Sequence, residues 1–202
     1  MAQKSTFPHF ATNAIHVGHD PKQWTSQSVV PGIFMSTTYQ QDYPGKPTPY
    51  EYTRAGNPTR TVLQKCAASL EGAKHAFVAS SGLAATSMIV QTLKSGDRIL
   101  CMNDVYGGTN RYFQRVLSKF NLSATLVDAT KVENVEKALE EHKDIKIVWI
   151  ESPTNPTLRI VDIQAVADIV HKKPDIILVV DNTFMTPYFQ KPPNTPLSLI
   201  HI

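Results

Sequence analysis

The sequence predicts an α/β fold: a doubly wound, mainly parallel sheet carrying an extended amino-terminal arm. Three observations predict it. From residue 75 onward, short apolar runs alternate with segments of helical period, the pattern of strands joined by crossover helices. The run Ile176-Ile177-Leu178-Val179-Val180 is apolar without interruption, as a strand buried on both faces of a parallel sheet has to be. Residues 1–50, by contrast, are rich in Pro, Thr, Gln and aromatic residues and hold no sustained helical period. Such an arm buries little by itself, so it is expected to lie across another surface of its own or a neighbouring subunit, the alternative being disorder.

The elements follow in order. Asn57-Pro58 supplies a helix cap and a proline at the first helical position. Val62, Leu63, Cys66, Ala67 and Leu70 continue at helical spacing until Gly72, which can close the helix. His75 to Ala79 then reads as a strand and Leu83 to Leu93 as a helix. Gly96-Asp97 turns the chain into a strand at Arg98 to Met102, followed by a helix at Thr109 to Phe120. A strand at Ala124 to Val127, a charged helix at Val132 to His142, a strand at Ile145 to Ile150 and a helix at Ile163 to Val170 lead to the closing strand, Ile176 to Asp181.

Composition narrows the function classes. The chain has 202 residues, enough for one large domain with a sizeable core. A formal net charge of +3 and no basic run beyond Lys172-Lys173 give no electrostatic footprint for a nucleic-acid partner. No apolar stretch approaches the roughly 18 residues of a membrane span, so no membrane partner is expected. Met1 to Thr6 lacks both the apolar core of a signal peptide and the Arg-rich pattern of a transit peptide, and a cytoplasmic protein is expected. Cys66 and Cys101 are read as small core residues. The seven His show no ligand spacing, and no metal is expected.

Chemistry gathers where strands end. In Ser80-Ser81-Gly82-Leu83-Ala84-Ala85-Thr86, small residues open a helix, so backbone N–H groups and the helix dipole can attract an anion; close packing of that helix on the sheet is the competing reading. The turn matches neither G-x-G-x-x-G nor the G-x-x-x-x-G-K-[ST] loop, which counts against a nicotinamide oxidoreductase or a nucleotide hydrolase. Tyr106, in Asp104-Val105-Tyr106-Gly107-Gly108-Thr109, either lies flat on an aromatic ligand or is a half-buried core tyrosine. Arg111 beyond it either grips a carboxylate or is a solvated surface residue. The prolines of Glu151-Ser152-Pro153-Thr154-Asn155-Pro156-Thr157 stiffen a loop that can hold Asn155 against a phenolate-like oxygen, or they form only a rigid turn. Asp181 ends the last strand, followed by Asn182-Thr183. In a doubly wound sheet these four ends share one edge. An anion cradle, a stacking ring, an amide and a carboxylate together describe a site for pyridoxal 5′-phosphate, whose pyridine nitrogen works best when a carboxylate keeps it protonated.

These stretches also carry a resemblance. Ala14-Ile15-His16-Val17-Gly18, Asp20-Pro21-Lys22-Gln23-Trp24-Thr25 and Tyr50-Glu51-Tyr52-Thr53-Arg54-Ala55-Gly56-Asn57-Pro58-Thr59 resemble the opening motifs of the Cys/Met-metabolism family of pyridoxal-phosphate enzymes. The motifs around Gly82, Tyr106, Asn155 and Asp181 resemble its later ones in the same order. The similarity runs from about residue 10 to Pro192. It implies the large domain of a fold-type I pyridoxal-phosphate enzyme, incomplete here: an arm at 1–57, a partial cofactor-binding domain at 58–192 and a non-family tail at 193–202.

The resemblance also implies roles. Gly82 and Leu83 would give N–H groups to the cofactor phosphate, and Tyr52 and Arg54 would reach it from a neighbouring subunit of a homo-oligomer, expected to be a tetramer. Tyr106 would stack on the ring and take part in proton transfer, Asn155 would meet the ring oxygen, Asp181 the ring nitrogen, and Thr183 would support the ring. Arg54, Tyr106 and Arg111 would meet the amino-acid substrate. The implied reaction is γ-elimination of cystathionine to cysteine, 2-oxobutanoate and ammonia. Other reactions of the family, or a catalytically dead subunit that docks on intact partners, are the alternatives.

Two departures stand out. On the resemblance, the family's cofactor-bearing lysine is expected to lie past Ile202, Lys191 coming too early to replace it, and the carboxy-terminal domain is expected to be absent from these 202 residues too. The 202-residue polypeptide is therefore expected to be inactive alone. Leu197 to Ile202 is what the transposase adapter CTGTCTCTTATACACATC encodes in frame, so the tail is expected to be an artefact, with a splice variant or a frameshift as alternatives.

Overall fold

The computed structural model describes residues 8–192 and the backbone of 197–200. Contacts divide the chain into two compact units, Met1–Val78 and Ala79–Ile202. The expectations for a leader in residues 1–7 and for the tail residues 193–196 and 201–202 lie outside the described residues.

In the first unit, helix α1 (Phe10–His16) packs on helix α2 (Pro58–Glu71), and a short antiparallel pair, β1 (Gln41–Tyr43) and β2 (Lys46–Pro47), lies between them in sequence. Helix α2 begins and ends where its sequence signals stand. Asn57 accepts from the N–H groups of Thr59 and Arg60, and Gly72 closes the helix in the left-handed region at φ 65°. Asn57 is 8% exposed. Its amide also donates to the Phe34 carbonyl (3.0 Å) and the Thr53 hydroxyl (3.0 Å), so one residue caps the helix and pins the arm. Gly18, at φ 87°, allows the chain to cross α2 closely, because a Cβ there would lie 2.5 Å from the Val62 carbonyl oxygen. The arm is thus folded, yet Val29, Ile33 and Met35 remain more than four-fifths exposed, at 81%, 85% and 89%.

The second unit alternates helix and strand: α3 (Gly82–Val90), β3 (Arg98–Met102), α4 (Gly107–Arg115), β4 (Ser123–Val127), α5 (Val132–Glu141), β5 (Ile145–Glu151), α6 (Ile163–Val170), β6 (Ile177–Asp181), α7 (Thr186–Phe189) and β7 (Leu197–Ile200). All five strands run parallel in the order β4-β3-β5-β6-β7. The unbroken apolar runs became the inner strands: Ile99, Leu100 and Cys101 of β3, Ile147 to Ile150 of β5 and Leu178 to Val180 of β6 are all buried. Helices bury one stripe against them, with Phe113 of α4 edge-on to Trp149 at 5.2 Å and Val166, Ala167 and Val170 of α6 fully buried. Burial also pushes the Cys101 thiol up, out of any range where it reacts, which fits its reading as a core residue.

Two elements differ from expectation. Residues 75–79 form no strand among the described residues. The apolar run Ala76 to Ala79 suits one, but among the described residues no strand pairs with it, and without a ladder partner an extended segment gains no hydrogen bonds. The helix expected to run to Phe120 stops at Arg115, and Leu117–Phe120 continues as a 3-10 turn closed by Asn121 in the left-handed region. Within the tail, Leu197–Ile200 extends the sheet, pairing Leu178 with Leu197 and Asp181 with Ile200. Among the described residues no helix is long and apolar enough to cross a membrane.

The topology fixes where a ligand can bind. Strand β3 neighbours both its successor β4 and the later strand β5. The direction of winding therefore reverses between β3 and β5, and a crevice opens at their carboxyl ends.

Candidate active site

The turn that leaves β3 at this switch point carries Tyr106, a residue 44% exposed. Val105, 7% exposed, anchors the turn from below. The ring lies over Gly108: a Cβ there would stand 2.5 Å from its Cε1 and 3.1 Å from its Cδ1. Glycine at 108 is what allows the tyrosine this pose.

Strand β5 ends in Glu151, which is 5% exposed. Its Oε2 accepts the Tyr106 N–H at 2.9 Å and its Oε1 the Asn155 N–H at 2.8 Å. The loop after β5 contains two cis prolines, at 153 and 156. It is tied back to the β3 turn as well, because Asp104 accepts from the Thr154 hydroxyl at 2.6 Å and from the Thr157 hydroxyl. Those two hydroxyls hold the Asp104 carboxyl below the usual carboxylate range, with the Arg159 guanidinium adding to the effect. Arg159 also bonds Asn103 at 3.1 Å and pairs with Asp128, gathering the ends of β3, β4 and β5.

Strand β6 ends in Asp181, 3% exposed and paired in register with Glu151. Its Oδ1 accepts the Thr183 N–H at 3.1 Å and the Thr183 hydroxyl at 2.5 Å, which fixes the carboxylate's orientation. Below that turn the fully buried Asn182 exchanges hydrogen bonds with Gln190, at 2.8 Å in both directions. Gln190 in turn donates to the Ser152 carbonyl at 3.0 Å, so the turn after β6 is held to the loop after β5.

The three strand ends enclose a cleft of about 180 Å³ lined by Tyr106, Glu151, Pro153, Asn155, Asp181, Thr183 and Phe184. Of the residues singled out in the sequence, Tyr106, Asn155, Asp181 and Thr183 meet here. Gly82, Leu83 and Arg111 lie outside this lining. Arg111 is exposed on α4. Gly82 and Leu83 open α3, which packs beside α4 and β7. Ser81 caps that helix by accepting from the Ala84 N–H at 3.2 Å, whereas the N–H groups of Gly82 and Leu83 donate to no acceptor among the described residues. Tyr52 and Arg54 belong to the first unit, where the Arg54 guanidinium sits 4.4 Å from the centre of the Tyr52 ring.

Glu151 is the residue that sequence reasoning missed. Its signal was present, since it follows an apolar strand as Asp181 does, but it reads as the start of a loop. Burial pushes its carboxyl up to about 7, against the lowering effect of the Tyr106 N–H, and the nearby Asp181 adds to the rise.

The residues present fit pyridoxal phosphate. Two N–H donors without acceptors open a helix, an exposed aromatic face is made possible by a glycine, and a buried carboxylate is oriented by a threonine. The chemistry of that donor set matches an anion, a ring and a protonated ring nitrogen.

Comparison with known proteins agrees. Residues 11–197 match the family described as Cys/Met metabolism PLP-dependent enzyme. The chain is 58% identical to human cystathionine gamma-lyase over 186 residues, 92% of this chain and 45% of that protein. It is 47% identical to cystathionine gamma-lyase of Dictyostelium discoideum over 193 residues, 95% of this chain and 49% of that protein. Among solved structures, metB from Corynebacterium glutamicum superposes with a TM-score of 0.90 at 42% identity, covering 95% of this chain and 50% of the other. Cystathionine gamma-lyase from Lactobacillus plantarum complexed with L-serine superposes with a TM-score of 0.89 at 37% identity, covering 95% and 49%. The chain spans about half the length of each of these relatives. With its parallel sheet, its switch-point cleft and this degree of identity, the chain belongs to the Cys/Met-metabolism family of pyridoxal-phosphate-dependent enzymes.

Proposed function

We propose that this chain supplies the cofactor-binding half of a cytoplasmic carbon–sulfur lyase of transsulfuration, which cleaves cystathionine with water to cysteine, 2-oxobutanoate and ammonia. The observation that carries the reading is Asp181, buried and oriented at the end of β6 in the cleft that Tyr106 and Asn155 line. When bound, pyridoxal phosphate supplies an electron sink for the negative charge that develops at the amino acid's α-carbon. Asp181 would hold the proton on the ring nitrogen, with Thr183 keeping the carboxylate aimed. Tyr106 would cover the ring, exclude water from that face and take part in proton transfer at the substrate. The Asn155 side-chain amide would donate to the ring oxygen, and the Gly82 and Leu83 N–H groups would hold the phosphate.

Tyr52 and Arg54 would complete the phosphate site of a neighbouring subunit. Their stacking at 4.4 Å supports their acting as one anion-binding unit, and the exposed Val29, Ile33 and Met35 support a homo-oligomer, a tetramer on the family's pattern. Arg54 and Arg111 would meet the substrate, whose carboxylate suits a guanidinium. Among the described residues the lining of the cleft contains no lysine, and this favours a second reading of the 202-residue polypeptide. By itself it would be inactive and would need an amine supplied by further sequence or by an intact partner subunit.

A chimera tests both readings. Residues 11–192 replace the aligned segment of human cystathionine gamma-lyase, and products are measured from cystathionine. The proposal expects 2-oxobutanoate from the chimera and none from the 202-residue chain. A folded chimera that binds the cofactor yet releases pyruvate and homocysteine, or nothing, contradicts it.

A further inference from the structure

We propose that Glu151 is a positioning residue that holds the Tyr106 turn and the Asn155 loop at a fixed spacing across the cleft. The inference rests on the cofactor reading above for its purpose, but its geometry stands apart from it. Glu151 ends β5, a strand with a neighbour on each side, so its backbone is among the most constrained in the sheet. Each carboxylate oxygen accepts one backbone N–H, Tyr106 at 2.9 Å and Asn155 at 2.8 Å, and these two residues lie 49 positions apart. A single carboxylate therefore bridges the groups expected to face the ring and its oxygen.

The charge around this bridge is unfavourable. Asp181 faces it from β6, Asp104 and Tyr106 from the turn after β3, and Cys101 from β3 itself, all neutral or acidic. Among the described residues no lysine, arginine or histidine pairs with Glu151. A buried carboxylate without a cation costs stability, and a neutral acceptor would hold one N–H without that cost. What the ionised side chain adds is two strong acceptors at once. Its carboxyl titrates near neutrality, at about 7, so the bridge tightens as the group ionises. Protonation turns one oxygen into a donor that competes with the N–H it faces. The second tie between the same loops, Asp104 with the Thr154 and Thr157 hydroxyls, is held ionised well below that range.

Amide hydrogen exchange of the 202-residue chain, without ligand, measures this. Relative to the ladder amides of Ile99 and Leu100, whose protection follows global stability and falls as Glu151 ionises, the protection factors of the Tyr106 and Asn155 amides should rise roughly 10- to 100-fold between pH 5.5 and 8.5, the scale of a hydrogen bond to a charged group. The ladder amides of Ile99 and Leu100 should not rise with them. In Glu151→Gln the rise should vanish, leaving one of the two amides protected at every pH. The wild-type profile needs no substitution, so the test survives a variant that fails to fold. Flat protection at both amides in the wild type, or a rise that persists in Glu151→Gln, overturns the proposal. Titration with pyridoxal 5′-phosphate separates it from the cofactor reading. The predicted amide profile in a chain with no affinity for the cofactor supports the bridge and refutes the cofactor reading. Flat amides in a chain that binds the cofactor refute the bridge alone.

Discussion

Replacing Gly108 by alanine puts a methyl group where the Tyr106 ring now lies. The new carbon would stand 2.5 Å from Cε1, 3.1 Å from Cδ1 and 3.4 Å from Cζ. Carbon atoms pack at about 3.5–4.0 Å, so the ring has to move by about 1 Å or more. The obstacle is the far end of a side chain, and 44% of that residue is exposed, so the ring can swing outward without disturbing the core. Alanine is also the better helix former by up to about 1 kcal/mol, and Gly108 lies in the first turn of α4. Folding stability is therefore expected to stay within about 1 kcal/mol of wild type. Ligand binding should respond differently. Stacking on an aromatic ring contributes about 0.5–1.5 kcal/mol beyond burial, which corresponds to about a two- to tenfold weaker Kd for pyridoxal phosphate. Fluorescence titration gives the Kd and a thermal melt gives the stability. Gly107→Ala is the control, because a Cβ at 107 meets nothing within 4 Å. An unchanged Kd in Gly108→Ala with a native melt, or an equal loss in both variants, would refute the placement of Tyr106 over the ligand.

Two further outcomes follow from named groups. The carboxyl of Glu151 binds its proton more tightly in the folded chain, at about 7 against an ordinary 4.5, so its stabilising contribution is full below pH 4.5 and lost as pH rises through 7. That interval corresponds to on the order of 3 kcal/mol. Urea melts should show wild-type stability falling relative to Glu151→Gln between pH 5 and pH 8, and parallel curves would contradict the burial argument. Asn57→Ala should destabilise the Met1–Val78 unit by about 2–3 kcal/mol, from a lost cap and stranded Phe34 and Thr53 partners, with Asn57→Asp intermediate because it keeps the cap. Limited proteolysis of that unit measures the order, and an Asp variant as weak as the Ala one would show that the cap contributes nothing.

Local signals were the most legible in the sequence. Helix α2 runs between Asn57 and Gly72 because both act on their own neighbours, one through a side-chain oxygen and the other through a left-handed backbone. The inner strands were visible because burial on both faces forbids polar residues, and Asp181 stood out against the apolar run before it. What failed depends on partners distant in the chain. Residues 75–79 carry the short apolar run of a strand, but a strand exists only where a ladder accepts it. Glu151 occupies the same kind of strand end as Asp181, but its two donors come from a turn far earlier and a loop just after, a juxtaposition no spacing encodes. Gly108 likewise reads only as part of a strand-to-helix turn, and only the ring above it shows why a side chain is excluded.

The central claim is that Asp181 holds the protonated ring nitrogen of pyridoxal phosphate. Comparing the chain's affinity for that cofactor with its affinity for the 1-deaza analogue, in which carbon replaces the ring nitrogen, isolates that one contact. The wild-type chain should prefer the natural cofactor on the order of ten- to a hundredfold, the scale of a charge-assisted hydrogen bond, and Asp181→Asn should erase most of that preference. No preference in the wild type, or an equal preference in both proteins, would contradict the assignment.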